Sequence, residues 1–268
     1  MRRLRLGAAL IVAALGAAAV PVAAQRPAER ASAAWELDTL RSGFCIHFLV
    51  EPAAAGKGKF RGVLQSPARA TDSLHPSLRR LIEGSPEFAA WIPQRLCVYQ
   101  FSAIRAGGRE LRDTKHGRSQ VVAVWSTNTR PDAPGSALLL VNNSRLSNSV
   151  KGVGLGVDVL KTEFGKVPES TDDRYQIRYS GTTLTWDGHA SGDSTAAPNA
   201  SHQWVAPGRN GRVVDVRMQL DPAGARLMVG ALRVEGKGEL ARTLVASPIR
   251  YVGPIVWGGG GSMSFASR

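Results

Sequence analysis

The clearest pattern along this chain is an alternation of apolar and polar positions with a period of two. Val214, Val216, Met218 and Leu220 alternate with Asp215, Arg217 and Gln219, so a strand there has one apolar face and one wet face. Asp221-Pro222-Ala223-Gly224 follows, with proline pre-set for the second position of a turn. The spacing predicts a hairpin of 212–220 against 225–235, the best hairpin signal in the sequence. Ser180-Gly181, between 175–179 and 182–186, signals a second and tighter hairpin. Short runs dense in β-formers predict buried strands at 44–50, 96–104, 120–127 and 137–141, with a further strand at 60–64. Glu235-Gly236-Lys237-Gly238 offers another reversal, and 250–257 precedes a glycine-rich tail that reads as flexible.

One region breaks this rhythm. Leu74, Leu78, Leu81 and Ile82 recur at helical spacing, with Pro76 suited to a first helical turn and Gly84 to the residue past the end. Ser85-Pro86-Glu87 repeats the start signal, with a serine cap, a proline and an acid facing the helix dipole. Ala89, Ala90, Trp91 and Ile92 supply the apolar side of this second short helix, and Pro93 stops it. Many short strands with one helical insertion predict a mainly β chain (α+β by element count). The expected architecture is an antiparallel β-sandwich or barrel with a short two-helix insertion near residues 74–92. Residues 188–202 are polar and small and read as a surface loop.

The N-terminus changes the picture more than overall composition does. Arg2, Arg3 and Arg5 precede an apolar run from Leu6 to Val20, and Val22-Ala23-Ala24 places small residues before Gln25. That order predicts a cleaved secretory signal over residues 1–24, the apolar run being too short to span a bilayer. A polar tether over 25–34 and a single β-rich domain over 35–268 follow, with no transmembrane anchor once the signal is removed. The expected location is the periplasm or the exterior of a bacterial cell. The net charge is +13, and basic chains favour anionic neighbours. Arginine outnumbers lysine and the charge is spread along the sequence, which fits a GC-rich genome better than a binding patch. The tightest knot is Arg105, Arg109, Arg112, Lys115 and Arg118. Export argues against nucleic acid as a partner.

The two cysteines, Cys45 and Cys97, are expected to form one disulfide in an oxidising compartment. Catalytic signatures are sparse. The sequence has no H-E-x-x-H pair, no G-x-S-x-G elbow and no paired-cysteine metal motif. The glycines of 151–156 lack the spacing of a phosphate-binding loop. No cofactor is implied. His47 lies between Ile46 and Phe48 and shares a strand face with Cys45. Asp187, His189, Asp193 and His202 place two carboxylates and two imidazoles close enough in sequence to ligate a divalent metal. The alanine and serine padding between them favours an exposed polar loop. Trp186 and Trp204 flank that loop and are the candidates for stacking on a ligand.

These features make the leading expectation a non-catalytic, exported envelope protein that binds an apolar or glycan ligand, or another envelope component, in a barrel mouth or cleft. A secreted hydrolase is the rival, its acid and base drawn from separated strands and the 186–204 loop, as Asp187 with His189 or Glu163 with His202. A structural or adhesive subunit is the third reading, and it requires an unpaired edge strand.

Overall fold

A strand that is apolar on both faces has to be covered twice, and this requirement organises the molecule. The computed structural model describes residues 35–70, 74, 76–106, 109–110, 120–127, 135–142, 147, 157–194, 201–207, 213–220, 225–248, 250–252, 255–256 and 261–267. All of them lie in one unit, Ala31–Arg268. In chain order the strands begin with β1 (Trp35–Val50), β2 (Ile92–Ala106), β3 (Arg109–Glu110), β4 (Gln120–Thr127) and β5 (Gly135–Val141). They continue with β6 (Val157–Val159), β7 (Lys161–Lys166), β8 (Asp173–Tyr179), β9 (Thr182–Ser194) and β10 (Ser201–Pro207). The last are β11 (Val213–Leu220), β12 (Ala225–Gly236), β13 (Arg250–Val252), β14 (Ile255–Val256) and β15 (Gly261–Ser267). The α-helices with described ends are α1 (Pro52–Ala55), α2 (Pro76–Glu83) and α3 (Glu239–Ala246).

Pairing runs β1–β15–β11–β10–β5–β4–β2 and returns to β1, so this sheet closes on itself as a barrel. Its contacts are antiparallel apart from β10 and β6, which both run parallel to β5. The inward face is apolar, with Leu37, Phe101, Val124, Val216, Met218 and Met263 buried in one cluster. The outward face of β1, β2 and β4 is apolar as well. Phe44, Ile46, Phe48, Val98 and Trp125 pack there against Tyr175, Ile177, Leu184 and Trp186 of the second sheet and Leu244 of α3. That second sheet has the order β14–β12–β9–β8–β7. Trp125 holds the junction. Its indole N–H donates to Gln94 Oε1 at 3.0 Å, and its ring meets Phe60 edge-on at a centroid distance of 5.3 Å.

The mainly β expectation holds, with the barrel taking precedence over the sandwich. The hairpin at Ser180-Gly181 forms between β8 and β9, and both turn residues have positive φ, 46° and 74°, as a primed turn requires. Other expectations are corrected. The 212–220 and 225–235 strands form but do not pair: β11 lies between β10 and β15, whereas β12 pairs with β9 and β14. Turn chemistry sets a reversal locally, but burial selects the partner. The apolar side of β11 is fully enclosed in the barrel, while Met228, Leu232 and Val234 of β12 are only partly buried, against the outer cluster. Of the glycine-rich tail, Gly261–Ser267 form a barrel strand, β15, with Met263 and Phe265 buried. Residues 188–194 and 201–202 belong to strands and not to a loop.

Smaller differences concern the helices. The segment at 60–64 forms no strand; Gly58–Phe60 is a single 3-10 turn and Leu64 is exposed. The insertion forms as expected, as α2 and a 3-10 turn at Pro86–Phe88. Leu74, Leu78 and Ile82 pack on Leu49, whereas Leu81 is 50% exposed. Ser85 makes no side-chain capping bond. Helix α3 lies in a stretch read as β-rich. The signal and tether segments, the 151–156 glycines, and Arg112, Lys115 and Arg118 lie outside the described residues.

Candidate functional site at one end of the barrel

Along β2 the inward residues are Arg95, Cys97, Tyr99 and Phe101, in phase with one another. The last three are buried and Arg95 is half-buried. An arginine therefore stands inside the barrel between the buried pair Leu49 and Pro93 on one side and apolar layers on the other. Its guanidinium stands 5.1 Å from the centroid of the Trp204 ring, within cation–π range, and its Nε donates to Ser126 Oγ at 3.1 Å. Loss of solvent pushes the guanidinium below its ordinary pKa, with Tyr99 acting weakly in the other direction. Among the described residues no carboxylate neutralises it, because the ion pairs found there all lie elsewhere.

His47 of β1 is directly opposite Arg95 in the strand pairing and is half-buried. Directly opposed residues carry Cβ atoms about 4.5–5.5 Å apart, so imidazole and guanidinium share one inward layer. The next layer is the disulfide. Cys45 and Cys97 are directly opposed and joined, with their Cα atoms 4.0 Å apart, as the sequence predicts. Tyr99 lies beneath it, its hydroxyl 3.6 Å from Cys45 Sγ. Burial pushes the Tyr99 phenol up to about 12, Arg95 opposing the shift. Tyr99 therefore stays a neutral donor through the physiological range.

Two glycines make room for the aromatic side chains of this end. A Cβ on Gly43 would come within 2.8 Å of Tyr99 Cδ1, and one on Gly135 within 3.1 Å of Trp204 Cδ1. A side chain at either position would displace its ring. The result is a cation, an imidazole and an aromatic wall held together in surroundings poor in water. Such a set can hold a small anion strongly, because charge-assisted hydrogen bonds gain strength as water is excluded.

Of the residues singled out from sequence, His47, Cys45, Cys97 and Trp204 lie at this end of the barrel, and the others fall elsewhere. Trp186 is buried between the barrel wall and the second sheet, and Trp204 inside the barrel. They belong to separate clusters. Asp187 takes a bidentate bond from Arg174, at 2.6 and 2.9 Å, which holds its carboxyl below the ordinary carboxylate range. His189 Nδ1 sits 2.8 Å from Asp172 Oδ1, and Glu163 pairs with Arg178 at 3.3 Å. Asp187 and His189 therefore share a face of β9 while each engages a different partner. Asp193 and His202 lie on β9 and β10, with side chains outside the described residues. Among the described residues no three metal-ligating side chains converge.

Sequence reading missed Arg95 because it started the strand at Leu96, whereas β2 begins at Ile92. A lone charge in phase with Cys97, Tyr99 and Phe101 was the available signal.

No family model and no curated protein matches this sequence. Solved structures do match over most of its length. An acetoacetate decarboxylase-like enzyme from Sphingomonas wittichii RW1 shares 10% identity at a TM-score of 0.46, over 86% of this chain and 88% of that one. An acetoacetate decarboxylase from Legionella pneumophila subsp. pneumophila str. Philadelphia 1 shares 9% at 0.47, over 87% and 86%. An enduracididine biosynthesis enzyme shares 12% at 0.44, over 87% and 86%. These matches correct the leading expectation: the structures this chain resembles are described as enzymes, and the non-catalytic envelope binding protein is withdrawn. At such identities and scores the likeness transfers no residue's role and no substrate.

Proposed function

We propose that this chain is an exported enzyme that acts on a small organic carboxylate bound at the barrel end carrying Arg95. The observation that carries the reading is the Arg95 guanidinium, half-buried inside the barrel over the Trp204 ring, which no carboxylate among the described residues neutralises. Placing a charge in a poorly solvated site is costly unless a partner satisfies it. A bound carboxylate supplies that partner in the fork geometry that guanidinium prefers. His47, in the same layer, is the group suited to move a proton near neutral pH. Tyr99 contributes a neutral hydroxyl deeper in the barrel. The reaction class these groups suit is proton transfer on the bound acid. Export is supported by the Cys45–Cys97 disulfide, a bond that persists in oxidising compartments. Among the described residues no helix is long and apolar enough to cross a membrane.

The test uses purified protein and a panel of small 2-oxo and 3-oxo carboxylates, with turnover followed by NMR and binding by calorimetry. Arg95→Ala is expected to weaken binding about 100-fold, the value of one or two charge-assisted bonds. His47→Gln should retain binding and lose turnover. Carboxylate binding that is indifferent to Arg95→Ala would overturn the assignment.

A further inference from the structure

From the Arg95–His47 layer toward the centre of the barrel exposure falls steeply, while on the other side of that layer the in-phase pair Leu49 and Pro93 is buried, Leu49 under α2. Arg95, His47 and Cys45 are half-buried, whereas Cys97 and Tyr99 are 1% exposed and Phe101 0%. Toward the centre, the half-buried positions therefore end at the disulfide. Inward side chains on one strand repeat about every 6.6 Å, so the sulfur layer stands about that far below the guanidinium layer. Beneath the sulfurs the space is filled: Tyr99 lies against Gly43, and Phe101, Leu40 and Met218 are fully buried.

We infer that the Cys45–Cys97 disulfide, backed by Tyr99, is the floor of the substrate site and limits the length of the carboxylate it accepts. This rests on the carboxylate reading above and adds a specificity element to it. A ligand whose anionic head is fixed on Arg95 has one layer of about 6.6 Å for its tail, and the contact distance of about 3.5–4 Å to sulfur leaves room for roughly two or three carbons. Longer tails meet sulfur. The bond's role here is bulk in a chosen place, separate from its role as a cross-link.

The experiment compares acetate, butyrate and hexanoate as probes, with calorimetric affinities measured on the disulfide-bonded protein, on Cys45→Ala/Cys97→Ala and on Cys45→Val/Cys97→Val. The alanine pair lowers the floor, and the ratio of hexanoate to acetate affinity is expected to rise roughly tenfold, the gain from burying about two methylenes. The valine pair restores bulk without the cross-link, and the ratio should return to within about twofold of the parent. Tyr99→Val in the disulfide-bonded protein is the companion variant if loss of the cross-link prevents folding; removing the ring behind the sulfurs should raise the same ratio about threefold. If all the probes bind through Arg95 and the ratio does not move in any folded variant, the floor is refuted and the carboxylate site stands. If both cysteine pairs raise the ratio alike, the cross-link and not the bulk sets the limit, and the inference fails. If no carboxylate binds the parent protein, both readings fall together.

Discussion

The two sheets of this protein treat arginine in opposite ways. On the outward face of the second sheet each described arginine–acid pair is closed locally: Arg174 with Asp187, and Arg178 with Glu163. Inside the barrel Arg95 has an aromatic ring and a hydroxyl but no described acid. Exposed pairs cost little to keep and contribute little, typically below about 1 kcal/mol. A desolvated cation without an acid costs stability. Sites that carry function are where such costs are retained. The difference separates charge that decorates a surface from charge that waits for a ligand.

That contrast presumes the two sheets form one cooperative body, and Trp125 tests this with the largest expected effect. It is 1% exposed and sits in the cluster shared by the barrel wall and the second sheet. Trp125→Ala should cost about 3–5 kcal/mol in a single denaturant transition recorded by tryptophan fluorescence and far-UV dichroism alike. Two separated transitions would mean that the sheets unfold independently.

The alkaline limb sharpens the barrel side. The Tyr99 phenol ordinarily titrates at 10.0, and the folded protein raises it to about 12. The folded state therefore holds the proton more tightly than the unfolded chain does. Its stabilising effect is complete below pH 10 and is lost as the pH climbs through 12, by about 2–3 kcal/mol. Tyr99→Phe should flatten that part of the profile without abolishing the slope, because burial also raises Tyr175 and Tyr179. An unchanged slope in equilibrium unfolding between pH 9 and 11.5 would show that Tyr99 is not desolvated.

Much of this architecture is legible in the chain, and the parts that are not share one cause. Gln120–Thr127 has the boundaries expected because a continuous apolar run between polar neighbours admits few other structures. The Ser180-Gly181 hairpin is legible because a two-residue turn fixes both the reversal and the partner. The Asp221–Gly224 turn signal names no partner, so reading a hairpin from it gave the wrong neighbour. β15 was hidden because Gly261, Ser262 and Ser264 dilute its apolar phase, leaving Met263 and Phe265 to show it. The site was harder to see. Arg95 and His47 are 48 positions apart in sequence, and only strand pairing across β1 and β2 brings them into one layer. Among the residues singled out from sequence, His47, Cys45, Cys97 and Trp204 belong to that end of the barrel, and none of them pointed to Arg95.

Replacing the barrel arginine measures what it costs. Arg95→Met removes the desolvated charge and forfeits the contact with Trp204, and relief of the charge outweighs the contact. Thermal unfolding of the unliganded protein should show stability unchanged or raised by about 1 kcal/mol, while carboxylate binding is lost. Arg178→Met on the second sheet should move stability by less than about 0.5 kcal/mol. A strong destabilisation by Arg95→Met would make Arg95 a structural residue and erase the contrast.

The smallest effect concerns the best surface pair. The bond from Arg174 holds Asp187 below its ordinary range, first through the hydrogen bond and then through charge, with burial opposing. A carboxyl depressed in the folded state adds stability above its unfolded pKa of about 3.9, and that stability drains as pH falls through the lower folded value. Asp187 is half-buried but its partner Arg174 is 40% exposed, so solvent screening keeps the contribution below about 1 kcal/mol. Asp187→Asn should therefore shift the acid limb of stability only below pH 4, by less than that amount, and added salt should shrink the shift further. A shift of several kcal/mol, or one that persists at neutral pH in 1 M salt, would mean that this pair is as deeply committed as the barrel site, and the division between the two faces would not hold.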